Sequence, residues 1–201
     1  MTVTFPPSNF RTAKIVIHRV ETGQRFYRLY SNNYPDPLGV GFGNSRFSDP
    51  RPLGSRVFKT LYLGESFQVC FAEVILRDQR DGKLDNLPIA EKEMSAHFFS
   101  TIAATEPLMM LDLRNANSAK MGVPTDVAKR LDQGLARTWA VAFHEHQNQL
   151  DGIIYSSRLT AENNLAIFDR SIHKLKVLST VPILTVGDLA RVLDDFEIAL
   201  V

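Results

Sequence analysis

The chain has 201 residues, 44% of them apolar and 22% charged, a size and balance that one hydrophobic core serves without a disulfide or metal staple. A formal charge of +1, spread over interspersed Lys, Arg, Asp and Glu, excludes a field that would draw nucleic acid along the whole surface, yet leaves room for a local anion site. Cys70 has no second cysteine to pair with, Met1 to Phe10 lacks the basic and then apolar run of a secretory signal, and apolar runs such as Trp139 to Phe143 are too short to cross a bilayer. A cytoplasmic, single-domain protein that inserts in no membrane is therefore expected.

In chain order, Lys14 to Val20 and Arg25 to Tyr30 are rich in Ile, Val, Phe and Tyr and are separated by Glu21, Thr22 and Gly23, which predicts a hairpin. Ser31 to Ser55 holds most of the Gly and Pro and reads as a long loop, of the kind that usually carries function. Val57 to Leu63 predicts a strand, and Gly64-Glu65-Ser66 a turn and N-cap for a helix over Phe67 to Arg77. Phe67, Cys70, Phe71 and Val74 recur there at helical spacing and form the expected core face, with Glu73 on its flank.

Further on, Glu91 to Thr101 is expected to be helical and Leu108 to Leu113 a strand. Thr125 or Asp126 caps an expected amphipathic stretch through Trp139, Ala142, Phe143 and His146, which Asp151-Gly152 ends. Ile153 to Tyr155 and Leu165 to Phe168 read as strands around a polar loop, followed by a strand at Pro182 to Thr185 and a helix beginning near Gly187. Strands and helices do not alternate regularly, so the class is α+β: one domain, a mixed and largely antiparallel sheet flanked by helices. The core of that domain is expected over residues 14–170, with a strand and helix after it.

Several constellations read best as structure. Gly39, Gly41 and Gly43 lack the strand-turn-helix setting of a dinucleotide fingerprint and read as loop flexibility. His144 and His146 are too closely spaced to share a helix face, so solvated side chains are expected and no metal site. Cys70 reads as a buried small hydrophobe, and Ser156-Ser157 lacks the context of a hydrolase nucleophile.

Four stretches in fixed order carry more: Phe26-Tyr27-Arg28-Leu29, then Gly43-Asn44-Ser45-Arg46-Phe47, then Leu61-Tyr62 through Ala72-Glu73, then Gly152-Ile153-Ile154-Tyr155-Ser156-Ser157. Together they resemble the RES domain family, named for an arginine, a glutamate and a serine. Arg46 followed by aromatic Phe47, Tyr62 eleven residues before Glu73, and Ser157 at the end of a Gly-apolar-apolar-Tyr-X-Ser strand match its pattern. Phe47 stands where the family usually has Trp, and the gap from Arg46 to Tyr62 is longer than in compact members, which leaves Arg51 and Arg56 as rivals for the arginine role.

The resemblance implies an ADP-ribosyltransferase-like fold and a toxin that depletes NAD+, with inorganic phosphate or water taking the ribose and nicotinamide leaving. It also implies an Xre-like helix-turn-helix antitoxin as partner, no direct nucleic-acid substrate, and is compatible with a homodimer. Transfer of ADP-ribose to a macromolecule and a silent protein-binding module are the alternatives. Scission of the nicotinamide-ribose bond puts positive charge on the ribose, so a fixed anion beside it, Glu73, is the expected catalytic group. Arg46, helped by Arg28, would clamp the pyrophosphate with parallel donors, Tyr62 would stack on nicotinamide, and Ser157 would orient the ribose or the glutamate.

Overall fold

The computed structural model describes residues 5–77, 79 and 81–201; the first four residues of the N-terminal stretch read above lie outside them. Among the described residues, ten strands and six α-helices occur in the order β1 (Ile17–Val20), β2 (Arg25–Ser31), β3 (Thr60–Gly64), α1 (Phe67–Phe71), β4 (Leu87–Ile89), α2 (Glu91–Ser95), β5 (His97–Ala104), β6 (Leu108–Asp112), α3 (Asn117–Lys120), α4 (Asp126–Lys129), α5 (Gly134–His144), β7 (Gly152–Ser156), β8 (Asn163–Phe168), β9 (Leu175–Pro182), α6 (Leu189–Asp195) and β10 (Ile198–Leu200). Eight strands form one mixed sheet in the order β1-β6-β7-β8-β3-β2-β5-β9, antiparallel at every step except β6 with β7, while β10 and β4 make a small parallel pair. The expected α+β class with a mixed, largely antiparallel sheet is what the chain adopts.

The sheet curls. Val20 and Met110 from its β1-β6 end and Phe26 and Ile102 from its β2-β5 end meet Leu61, Leu63, Ile154 and Leu165 in one buried cluster, which a flat sheet would hold apart. On the other face α5 buries Trp139, Ala140 and Phe143 against Phe10, Phe47 and Ile153. A third cluster joins α1 to α6 through Phe67, Phe71 and Val192. Close packing reaches the backbone at Gly152, where a Cβ would strike the carbonyl of Ala166 on β8; the glycine of the sequence pattern is therefore explained by strand packing and not by chemistry.

Four expectations are corrected. The turn at Gly23 forms, closed by the amide of Gln24 donating to the carbonyl of Glu21, but its flanking strands part company: β1 pairs with β6 at the sheet edge, and β2 pairs with β5 and β3, so there is no hairpin. The helix expected over Glu91 to Thr101 stops at Ser95, and Phe98, Phe99, Thr101 and Ile102, all strong strand formers, run in β5. The strand expected at Pro182 to Thr185 lies earlier, in β9, and residues Ile183–Thr185 form a 3-10 turn once Pro182 has ended the ladder. Val57 to Lys59 lead into β3 without joining it.

His146 is not solvated as the sequence suggested, and His144 is only partly so. His146 is fully buried beyond the end of α5; its Nδ1 accepts from the amide of Asn148, which leaves Nε2 to donate to the carbonyl of Ala13. His144 stacks on Phe58 with ring centroids 4.4 Å apart, and its Nδ1 is buried with no partner among the described residues. Burial, and then the charges of Arg170 and Arg51, push its pKa down to about 4. The folded state thus prefers the neutral ring, and the resulting stability is present above the unfolded value of about 6.5 and lost as pH falls toward about 4. Urea titrations are expected to show stability falling between about pH 7 and about pH 5, and His144→Phe, which keeps the stack, should flatten that limb.

Candidate active site

Glu73 is delivered by an irregular turn. Ser66 caps α1 by accepting the amide of Val69, and the helix runs regularly to Phe71. Residues Ala72–Leu76 then open into a π-helical turn, closed by the amide of Arg77 donating to the carbonyl of Ala72 at 2.7 Å. The extra residue changes the phase of the buried face. Val74, expected in the core, is 42% exposed, and Ile75 is buried in its place, while Cys70 and Phe71 stay buried as predicted. Arg77 leaves the turn at φ 27°, which ends the helix at once.

The carboxylate that results faces a cleft of about 480 Å³ whose walls include Arg46, Tyr62, Tyr155, Asn164 and Arg137. Its Oε1 accepts two hydrogen bonds, from the Ser157 hydroxyl at 2.8 Å and the Asn164 amide at 2.9 Å. Ser157 is itself fixed: its oxygen accepts the amides of Leu159 and Thr160, so its one proton is directed to Glu73. Oε2 takes no hydrogen bond among the described residues. Ser157 does not line the cleft; it sits buried behind Glu73 and orients the glutamate, one of the two roles the sequence left open. Ser157→Ala is expected to cut kcat of any reaction that uses Glu73 by about tenfold with KM nearly unchanged, because a hydrogen bond to a charged group is lost.

Strand register explains the rest of the wall. Tyr62 lies opposite Ala166, and Tyr155 opposite Asn164, with Asn164 in turn opposite Gly64. Directly opposed and alternate residues share a face, so Tyr62, Asn164 and Tyr155 all point to one side of the sheet. Tyr155 is 7% exposed and takes an edge-on contact from Phe47, ring centroids 5.0 Å apart. Burial raises the pKa of Tyr62 to about 12 and that of Tyr155 well above 10, so both phenols stay neutral.

Phe47 shows why an aromatic follows the arginine. It is fully buried, its amide donates to the Tyr62 hydroxyl at 2.8 Å, and its carbonyl accepts from Thr60, which nails the loop to β3. Arg46 is thereby held at the cleft mouth, with one Nη on the carbonyl of Arg130. Burial lowers its pKa while Tyr155 and Glu73 oppose that shift, and a guanidinium remains charged throughout. Tyr62 anchors this loop with its hydroxyl and offers its ring to the cleft.

The rival arginines are otherwise engaged. Arg51 binds Asp49 with two bonds of 2.7 Å and also reaches Glu145. Burial alone would raise the Asp49 pKa, but Arg51 and the amides of Val57 and Arg51 outweigh it and hold the carboxyl at about 2. Arg56 donates to the carbonyls of Arg51 and Gly43 and to Asn44, outside the Glu73 cleft. Arg28 lies on another wall: it faces a smaller cavity of about 170 Å³ that also touches Glu73 and Tyr62. Its Nη1 donates to the carbonyls of Pro37 and Gly39.

The sequence profile of the RES domain matches residues 16–186, most of the chain. The chain belongs to the RES domain family. It is similar to the probable toxin y4kH of Sinorhizobium fredii (strain NBRC 101917 / NGR234), 36% identical over 127 residues that span 63% of this chain and 100% of that protein. Its fold is similar to that of a chain in the crystal structure of the M. tuberculosis MbcT-MbcA toxin-antitoxin complex, with a TM-score of 0.61 and 22% identity over 89% of this chain and 91% of that one.

In this RES chain the arginine, glutamate and serine picked from the sequence converge: Arg46 and Glu73 share a cleft, and Ser157 holds Glu73. Asn164, Tyr155, Arg77, Arg137 and Arg158 also belong to the site and were not singled out. For Asn164 a signal existed: an amide two residues before Ala166 on a strand with an inward face, mistaken for the end of a polar loop. Arg137 had none, because helical spacing alone does not say which face of α5 meets a cleft. Cys70 is buried and its pKa is pushed up to about 12 by that burial, which disqualifies it as a nucleophile. Among the described residues no cluster of His, Cys, Asp and Glu is placed to hold a metal ion, and no helix is long and apolar enough to cross a membrane.

Proposed function

We propose that this chain cleaves the bond between nicotinamide and ribose in NAD+, with phosphate or water as acceptor, and that it acts as the toxin of a toxin-antitoxin pair. The observation that carries the chemistry is the Glu73 carboxylate at the cleft wall, pinned through Oε1 by two donors while Oε2 takes no hydrogen bond among the described residues. Scission turns the pyridinium into a neutral leaving group and moves its charge to the ribose. Nothing need protonate the leaving group; a fixed anion beside the ribose lowers the barrier. Both bonds to Oε1 fix the position of the carboxylate, so the group needs no reorientation when the reaction begins.

Charge at the cleft supports a dinucleotide. Four arginines, Arg46, Arg77, Arg137 and Arg158, and one carboxylate, Glu73, line it among the described residues. A pyrophosphate is the natural complement of such a set, since guanidinium groups meet phosphate oxygens with paired donors. The toxin reading rests on the kinship with the probable toxin y4kH and on the fold shared with a chain of a toxin-antitoxin complex. An antitoxin partner follows from it, as a protein that keeps NAD+ out of the cleft.

Purified protein incubated with NAD+ should release nicotinamide, and adding inorganic phosphate tells the acceptor. Faster release with a phosphorylated ADP-ribose product marks phosphorolysis, an unchanged rate with free ADP-ribose marks hydrolysis, and label carried from NAD+ onto protein marks transfer to a macromolecule. No release under any of these conditions would sink the cleavage reading.

A further inference from the structure

Next to the Glu73 cleft lies a second, larger cavity of about 640 Å³, built by the loop that the sequence marked as rich in Gly and Pro. The two share Ser45 and Tyr62 as a common wall. Arg28 faces this second cavity as well as the small one that touches Glu73, so all three cavities border Tyr62. Their chemistry differs. The Glu73 cleft is lined by arginines, whereas the loop cavity presents Tyr34 and Phe42, 70% and 42% exposed, on a scaffold of Gly39, Gly41 and Gly43.

We propose that the 34–43 loop cavity takes the adenosine half of the dinucleotide, with the adenine against Tyr34 and Phe42 and Arg28 at the joint. This rests on the cleavage reading for which half sits at Glu73. A molecule with nicotinamide riboside at Glu73 sends its other half beyond that cleft, and two neighbouring cavities large enough to take it share a wall residue with the cleft. The exit past Arg137 leads to a cavity lined by Asn44, Pro50, Arg56, Gly134 and Arg137, which has cations but no aromatic face. Adenine is uncharged and flat, and it binds where π faces and apolar walls are offered. The exit past Tyr62 offers both.

Arg28 connects the halves. Its Nη1 is spent on holding the loop through Pro37 and Gly39 at 2.6 and 3.1 Å, and no hydrogen bond from its Nε or Nη2 occurs among the described residues. Those nitrogens are available to the adenosine-side phosphate of a pyrophosphate whose other phosphate meets the arginines of the Glu73 cleft, and occupancy of the joint would at the same time tighten the loop that forms the adenine wall. Burial of Arg28 lowers its pKa without discharging it, and a desolvated guanidinium binds a phosphate more strongly than a hydrated one.

The test compares NAD+ with nicotinamide mononucleotide, which has the reactive half alone. The double variant Tyr34→Ala, Phe42→Ala should raise KM for NAD+ by about tenfold, the effect of losing one stacked base, with kcat within about twofold. KM for the mononucleotide should not move. Equal changes for both substrates, or none for NAD+, would overturn the proposal. A second measurement needs no catalysis: adenosine monophosphate titrated into isotope-labelled protein should shift the amides of residues 38–43 in the natural chain and not in the double variant. If wild-type protein releases no nicotinamide yet these amides respond, the cleavage reading falls and the adenosine site stands; if they do not respond, the site is refuted whatever the activity.

Discussion

Glu73→Gln is expected to slow nicotinamide release from NAD+ by about 10²-fold or more while changing folding stability by less than about 1 kcal/mol. The substitution is nearly isosteric. A glutamine carbonyl accepts from the Ser157 hydroxyl and the Asn164 amide much as Oε1 does, so the turn and the wall keep their geometry. What disappears is the negative charge that meets the cationic ribose. Because that interaction exists mainly in the transition state, the loss should fall on kcat, and calorimetry should find NAD+ bound with nearly unchanged affinity. A variant that retained full rate would show that the charge beside the ribose is not the source of catalysis. One that lost binding in equal measure would make Glu73 a docking group instead.

Trp139→Ala should cost about 3–5 kcal/mol, the largest effect on stability expected of any single truncation in this chain. The indole is fully buried on α5, edge-on to Phe10 at 5.2 Å and tilted against Phe143 at 5.8 Å between ring centroids. Phe143 in turn touches Phe47, and Phe47 touches Tyr155, so the aromatic chain runs from the helix to the cleft wall. Removal leaves a cavity that a close-packed interior closes only in part. For a domain of this size the melting temperature should fall by roughly 6–20 °C. A shift of only a degree or two in a thermal scan would mean that the core under the cleft is not closed around this residue. Because Arg137 is two residues before Trp139 on the same helix, surviving protein should also bind anionic substrate more weakly.

The sequence was most legible where chemistry and local pattern coincide. Arg46, Tyr62, Glu73 and Ser157 occur in an order and spacing that survive any uncertainty about the strands between them, and the fold gathers Arg46, Tyr62 and Glu73 at one cleft with Ser157 directly behind. The class was legible too, since the lack of alternation between strand and helix is a property of the whole chain. Partner choice was not. Gly23 predicts a reversal, but whether β2 then meets β1 or β5 depends on side chains far along the chain, as in the pairing of Phe26 with Ile102. Edge strand β9 was missed because Lys176, Ser179 and Thr180 make its solvent face polar, as exposed edges commonly are.

Val74 shows a subtler limit. Its place on the helical wheel is correct for an α-helix through Leu76, and it fails because the wheel itself changes at Ala72. No propensity scale reads a π turn, which is set by tertiary packing: Cys70 and Phe71 are buried before it, and Ile75 and Leu76 within it. The same turn hides the reason that Glu73 reaches the sheet.

That turn makes the length of the segment, rather than its composition, a record of what it does. Deleting one residue ahead of Glu73 would restore ordinary pitch and relieve a local irregularity, yet it would rotate the acid by about 100° about the helix axis and away from Asn164 and Ser157. Point changes at neighbouring solvent-facing positions should be absorbed, whereas an indel there should leave a folded and inert protein. The segment has, in effect, a reading frame of its own, kept by geometry.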